Sequence, residues 1–161
     1  MSFLSDVESH SHHQRLDYRG FNPSVDWHNV DFSKSPSVQN MPVTSVICSS
    51  KLDGDSGKLE LSGYAWAGGG NRIIRIDLTT DQGETWFDGT IDKQTDDLEP
   101  KHFGWSLWSA SIPISRQQKE VEVWCKAVDS NYNSQPESFK NIWSLRGINS
   151  NAYHRIKVKS S

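Results

Sequence analysis

A chain of 161 residues and 18.3 kDa is long enough for one domain with an extension, or for one large β-sandwich, and a core of that size folds without disulfide or metal staples. Seventeen Lys and Arg stand against twenty Asp and Glu, a formal charge of −3, so the basic footprint of a nucleic-acid partner is missing. No stretch of ~18 apolar residues occurs, which excludes a membrane-spanning helix.

From Met1 to Arg15 the chain is rich in Ser, His and acidic residues. It has neither the apolar region of a secretory signal nor the Arg-rich amphipathic pattern of a transit peptide. Here His10, His12 and His13 lie close together. An i, i+2 histidine pair on extended backbone can ligate a transition metal. No acidic or Cys partner stands at the spacing of a closed zinc site, so a solvated segment is the default reading. Residues 1–50 show no sustained periodicity, and Pro23, Pro36 and Pro42 point to extended, irregular backbone. Tyr18, Phe21, Val25, Trp27 and Phe32 are nevertheless too many large apolar groups for a free tail. The stretch 1–42 reads as a strap that lies against another surface, in this chain or beyond it.

From Val43 the pattern changes to period two. Leu59, Leu61, Gly63 and Ala65 alternate with polar neighbours, as do Ile74, Ile76 and Leu78. The same holds for Trp108, Ala110, Ile112 and Ile114, for Val121, Val123, Cys125 and Ala127, and for Ala152, His154, Ile156 and Val158. Turn signals separate the runs: Asp53-Gly54-Asp55, Gly68-Gly69-Gly70, Asp81-Gln82-Gly83, Asp88-Gly89 and Ser130-Asn131. About seven strands with no convincing helix predict an all-β, antiparallel β-sandwich over 43–161. The Asp53–Gly57 segment resembles the start of a calcium loop, but Tyr64 stands where the bidentate Glu belongs. The three glycines lack the Lys-Ser/Thr of a phosphate cradle, so a wide inter-strand connection is expected there.

No catalytic triad or carboxylate pair stands out. Cys125 falls at an inward position and reads as a small core hydrophobe, while Cys48 lies near a strand edge. One bridge between them is possible, and two free thiols suit a reducing compartment. Arg146 interrupts an apolar run just before Gly147. A guanidinium there suits a tetrahedral oxyanion, although a surface ion pair worth ~0–1 kcal/mol is the bland alternative.

Six segments carry a family likeness. His12 to Trp27 (HHQRLDYRGFNPSVDW), Gly63 to Gly70 (GYAWAGGG) and Arg75-Ile76-Asp77 come first. Cys125 to Asp129 (CKAVD), Trp143 to Gly147 (WSLRG) and Ser150 to Val158 (SNAYHRIKV) follow. Together they resemble, in order and from about Ser11 onward, the C-terminal part of animal sulfite oxidases. The resemblance implies an immunoglobulin-like dimerisation domain over 43–161, preceded at 1–42 by the end of a molybdopterin-binding domain. It implies that Tyr18 corresponds to the tyrosine beside the molybdenum centre, and Arg146 to the arginine of the sulfite and sulfate pocket. It further implies a homodimer, or a heterodimer with full-length sulfite oxidase, and a mitochondrial intermembrane-space location. In the complete enzyme it implies a molybdopterin-molybdenum cofactor, a haem in a further domain and cytochrome c as partner. Neither Cys48 nor Cys125 matches the cysteine that ligates the metal, so the chain reads as a fragment or short derivative, inactive alone.

Position 13 is His where the family usually has Trp, and Asp53–Gly57 and Thr90–Lys101 are not close matches. Two other readings compete. One is the dimerisation domain of a nitrate reductase, whose counterpart of Leu145-Arg146-Gly147 tends to carry Met in place of the arginine. The other is a stand-alone sandwich, either Trp-rich and binding carbohydrate by stacking on Trp66, Trp86 and Trp124 at outward parities, or a purely structural interaction module that pairs with the full-length enzyme.

Overall fold

The computed structural model describes residues 10–92 and 101–160, so the first residues of the N-terminal stretch and most of the divergent Thr90–Lys101 segment lie outside the described residues. The chain divides into two compact units. One comprises the described residues up to Met41 together with Ser138–Ser150; the other comprises Pro42–Glu137 and Asn151–Ser161.

The larger unit is the antiparallel all-β sandwich that the period-two runs predict. Its strands are β1 (Thr44–Asp53), β2 (Lys58–Trp66), β3 (Ile73–Thr79), β4 (Phe87–Ile91), β5 (Ser106–Pro113), β6 (Glu120–Asp129) and β7 (His154–Lys159). They run in the order β1-β2-β5-β4-β3-β6-β7. The short strand β4 links the two sheets, pairing Phe87–Gly89 with β3 and then Thr90 and Ile91 with β5. At the far ends β1 meets β7, where the Ile47 N–H donates to His154 Nδ1 at 3.0 Å, so the sandwich is nearly closed.

Strand β5 alternates buried and exposed residues without a break, which places Trp108, Ala110 and Ile112 in the core. Leu59, Ile76, Leu78 and Val123 pack there with them. Trp108 fits because the residue paired with it across the sheet is Gly63, over whose backbone the indole lies. Burying such a ring removes 150–250 Å² from water, roughly 4–6 kcal/mol before the cost of ordering it. A polar staple closes the same core. Gln135 Oε1 accepts from Ser45 Oγ at 2.7 Å and from the Ala127 N–H at 2.9 Å, while its Nε2 donates to the Asn151 carbonyl at 2.9 Å.

The structure departs from the sequence expectations at three places in this unit. A register shift between Ile73 and Arg75 puts Ile73 in the core and turns Ile74 outward, against the simple alternation. Asp88-Gly89 lies inside β4 rather than in a turn. The glycine is needed because a Cβ there would stand 3.0 Å from the Ile76 side chain. Trp124, expected outward, is buried: Arg155 lies 3.7 Å over its ring and its Nε1 donates to Glu122 at 2.7 Å. Cys48 and Cys125 remain separate thiols. Burial pushes the Cys125 thiol up to about 12, despite a 3.3 Å contact with Ser45 Oγ.

His154 makes stability depend on pH. Burial holds its imidazole below the ordinary value, and the bond from Ile47 requires an unprotonated Nδ1. A depressed folded-state pKa means that this stabilisation is complete above the unfolded value, about 6.5, and is lost as pH falls through the folded one. The carboxyls act lower down. Burial alone would raise Asp129, but hydrogen bonds from Asn133, Asn131 and Asn71 outweigh it, and Thr85 and Thr79 hold Asp81 down to about 2. The urea midpoint is therefore expected to be flat from pH 8 to 7 and to fall between about pH 6.5 and 5. A midpoint that stays level or rises across that window contradicts the assignment.

In the smaller unit, the stretch expected to be extended contains a five-residue π turn, His13–Asp17, and a 3-10 turn, Phe32–Lys34. Asp31 caps the second turn by accepting from the Ser33 N–H at 3.0 Å. An isolated bridge joins Arg19 to Ser37. The buried Arg19 guanidinium donates to the Arg15 carbonyl at 2.8 Å and to the Ser35 carbonyl. Phe21 and Phe32 meet edge to face at 5.5 Å, so part of the aromatic content is consumed within the unit, while Tyr18 and Trp27 stay exposed.

Candidate functional site

Tyr18 ends the π turn. Its N–H donates to the His13 carbonyl at 2.8 Å and its carbonyl accepts from the Val38 N–H at 2.7 Å, so its backbone is held on both sides while nearly half of the residue is exposed. The ring faces His13 edge to face, centroids 6.2 Å apart. A phenol on a backbone anchored in this way can donate to an anion without adding net charge.

Arg146 is set by a turn in which the Gly147 N–H donates to the Ser144 carbonyl at 2.8 Å, with Gly147 at φ +66°. Only a glycine adopts that backbone without strain, which explains the Arg-Gly pair seen in the sequence. Two links sew this turn to the strap. The Phe21 N–H donates to Ser144 Oγ at 3.1 Å, and Arg146 Nη2 donates to Asp17 Oδ1. Asp17 immediately precedes Tyr18. The fold thereby brings the arginine and the residue next to the tyrosine together from positions 129 residues apart.

Asp17 is the organising group of this corner. Its second oxygen faces His13 Nδ1 at 3.1 Å and His12 Nε2 at 3.8 Å, and the Arg146 guanidinium also lies 5.7 Å from the Trp27 ring centroid. The carboxylate fixes one nitrogen of the guanidinium fork, whose five donors allow it to serve a second acceptor as well. Both side chains are about a quarter exposed, 29% for Arg146 and 24% for Asp17, so the pair is partly screened and worth about 1 kcal/mol. Of the two readings of Arg146, the structure shows the ion pair, and the partner is the residue that precedes Tyr18 in the chain.

Beside this corner runs a groove of about 900 Å³, lined by His10, His12, Arg15, Arg19 and Lys34 and, among the described residues, by no carboxylate. The histidine cluster therefore borders a cationic groove, and among the described residues no three His, Cys, Asp or Glu side chains converge as a metal site. Sequence reasoning missed Asp17. Its only local signal is adjacency to Tyr18, and its partner becomes visible only once the chain is folded.

The carbohydrate reading loses Trp124, which is buried beneath Arg155, while Trp86 stays partly exposed with Lys126 Nζ 3.9 Å from its ring centroid.

Comparisons with known proteins identify the family. Residues 35–161 match the family described as Mo-co oxidoreductase dimerisation domain. The mitochondrial sulfite oxidase of Drosophila melanogaster is 51% identical over 165 residues, covering 97% of this chain and 29% of that protein. The mitochondrial sulfite oxidase of Homo sapiens is 47% identical over 154 residues, covering 94% of this chain and 28% of that protein. The chain thus spans less than a third of the length of these relatives. Among solved structures, the sulfane dehydrogenase SoxCD of Paracoccus pantotrophus superposes over 92% of this chain and 36% of that one, with a TM-score of 0.66 and 21% identity, which speaks to the fold. A match over that span, carried by an all-β sandwich of seven antiparallel strands, places the chain in the Mo-co oxidoreductase dimerisation domain family.

Proposed function

We propose that the chain is the dimerisation part of a molybdopterin-dependent sulfite oxidase, and that Tyr18 and Arg146 contribute to its sulfite and sulfate pocket. The observation that carries the reading is the Arg146–Asp17 pair, which ties the guanidinium to the residue beside Tyr18. Arginine suits such a pocket because it stays protonated through turnover and gives parallel charge-assisted hydrogen bonds to a tetrahedral oxyanion. The likeness to nitrate reductases is partial, 64% of the chain in Chlorella vulgaris, and Arg146 stands where that group tends to have Met, so sulfite is favoured over nitrate.

The residues present do not fit a molybdenum ligand set. Cys125 is buried with its thiol raised to about 12, and Cys48 stands alone at the surface. Oxygen transfer and two-electron redox belong to the molybdopterin centre, held by other parts of the complete enzyme. Within this reading residues 1–42 form the end of the cofactor domain and 43–161 the dimerisation domain. The haem, the cytochrome c partner and the mitochondrial intermembrane space enter through the family likeness.

The test is a chimera in which this chain replaces the matching segment of the Drosophila relative, with Arg146→Met compared by steady-state sulfite kinetics. A selective rise in KM supports the reading. An unchanged KM with turnover lost overturns it.

A further inference from the structure

The Asp17 carboxylate serves two partners at once. Its Oδ1 accepts from Arg146 Nη2, while its Oδ2 faces Nδ1 of His13, the first residue of the π turn that Asp17 ends, at 3.1 Å. A carboxylate only accepts, so the hydrogen of this contact sits on His13 Nδ1, and Nε2 is the ring nitrogen that takes up a further proton. The His13 side chain is 72% exposed, so that proton exchanges with water. The same ring stands edge-on to Tyr18 at 6.2 Å, and the His13 carbonyl accepts from the Tyr18 N–H.

With His13 neutral, the group His13, Asp17 and Arg146 carries no net charge. With His13 protonated it carries one positive charge, and the carboxylate is shared between two cations, so it opposes less strongly the turn of the guanidinium toward a further acceptor. Histidine makes this change between about pH 5 and 8. The new charge arises 6.2 Å from the Tyr18 ring, inside the ~8 Å over which physiological salt screens. Among the described residues, the other titratable or charged groups around the π turn are His10, His12, Arg15, Arg19 and Lys34. Lys34 pairs with Asp31 at 3.6 Å, and His12 Nε2 stands 3.8 Å from Asp17 Oδ2, too far for a hydrogen bond. Among these groups only His13 both bonds to Asp17 and changes charge near neutrality.

We propose that His13 is a positioning residue for Arg146: on gaining a proton it takes over part of the Asp17 carboxylate, adds a positive charge to the corner and tightens its hold on an oxyanion. The inference rests on the reading of Tyr18 and Arg146 as an anion pocket and adds to it a proton-linked control. Sulfate is the probe, because it stays a dianion across the interval in which sulfite itself gains a proton.

Two measurements from about pH 8 to 5.5 test this. In the full chain, the chemical shift of the Arg146 guanidinium carbon is followed by NMR together with the His13 ring signals. A common midpoint is expected. It is lost in His13→Gln, whose amide keeps a donor for Asp17 but does not titrate, and kept in His12→Gln. In the chimera with the Drosophila relative, the inhibition constant of sulfate is expected to fall about two- to threefold more over the interval without further substitution than with His13→Gln. An Arg146 shift that does not follow His13, or a sulfate constant with the same pH dependence in His13→Gln, overturns the inference and leaves the pocket reading intact. A sulfate constant unmoved by Arg146→Met overturns both.

Discussion

In the chimera, Arg146→Met is expected to raise the sulfite KM about 10- to 100-fold while kcat changes far less. Methionine keeps much of the length of the side chain and removes its donors. Hydrogen bonds to a charged group contribute ~1.5–3 kcal/mol, and that loss falls on ground state and transition state alike, so it appears in KM. The substitution also removes the partner of Asp17. Because that pair is about three-quarters buried on each side, its loss costs about 1 kcal/mol and lowers the melting temperature by only ~2–4 °C. A large kinetic effect with a small thermal one separates anion binding from simple unfolding.

Gly63→Ala is expected to be among the most damaging single substitutions in the sandwich. A Cβ at this position would lie 1.9 Å from the Val46 carbonyl oxygen and 2.6 Å from Trp108 Cζ2. The first contact is backbone, so no rotamer relieves it, and the second is the largest side chain of the core. The pairing of Gly63 with Ile47 sits beside the register shift between Ile47 and Ser49, which leaves β1 no room to retreat without losing its ladder to β2. The expected cost is about 4 kcal/mol or more, a large share of the 5–15 kcal/mol that holds a domain together. Thermal melts should show the midpoint lowered by at least ~10 °C, or the variant should accumulate as insoluble protein. A melting temperature within about 2 °C of wild type contradicts the packing described for Trp108.

What is legible in the sequence follows from the range of each signal. Strand β5 can be read because its alternation is complete and local, and the inward position of Cys125 follows from the same rule. Strand β4 cannot, because it is five residues long and its Asp88-Gly89 carries turn chemistry while serving as a close-packing point against Ile76. Ile74 defies its pattern because a bulge breaks parity without leaving a mark in composition. Trp124 defies its own because its cover, Arg155, arrives from β7. Tyr18 and Arg146 become candidates through motif likeness, whereas Asp17, which links them, depends on a contact across 129 positions that no local pattern encodes.

The central claim is that Asp17 holds Arg146 beside Tyr18 so that the two serve one anion. A crystal structure of the chimera with sulfate tests it most directly. The account predicts a sulfate with an Arg146 guanidinium nitrogen and the Tyr18 hydroxyl each within about 3.2 Å of its oxygens, and Arg146 still in contact with Asp17. A sulfate bound in the pocket with neither side chain on it contradicts the account.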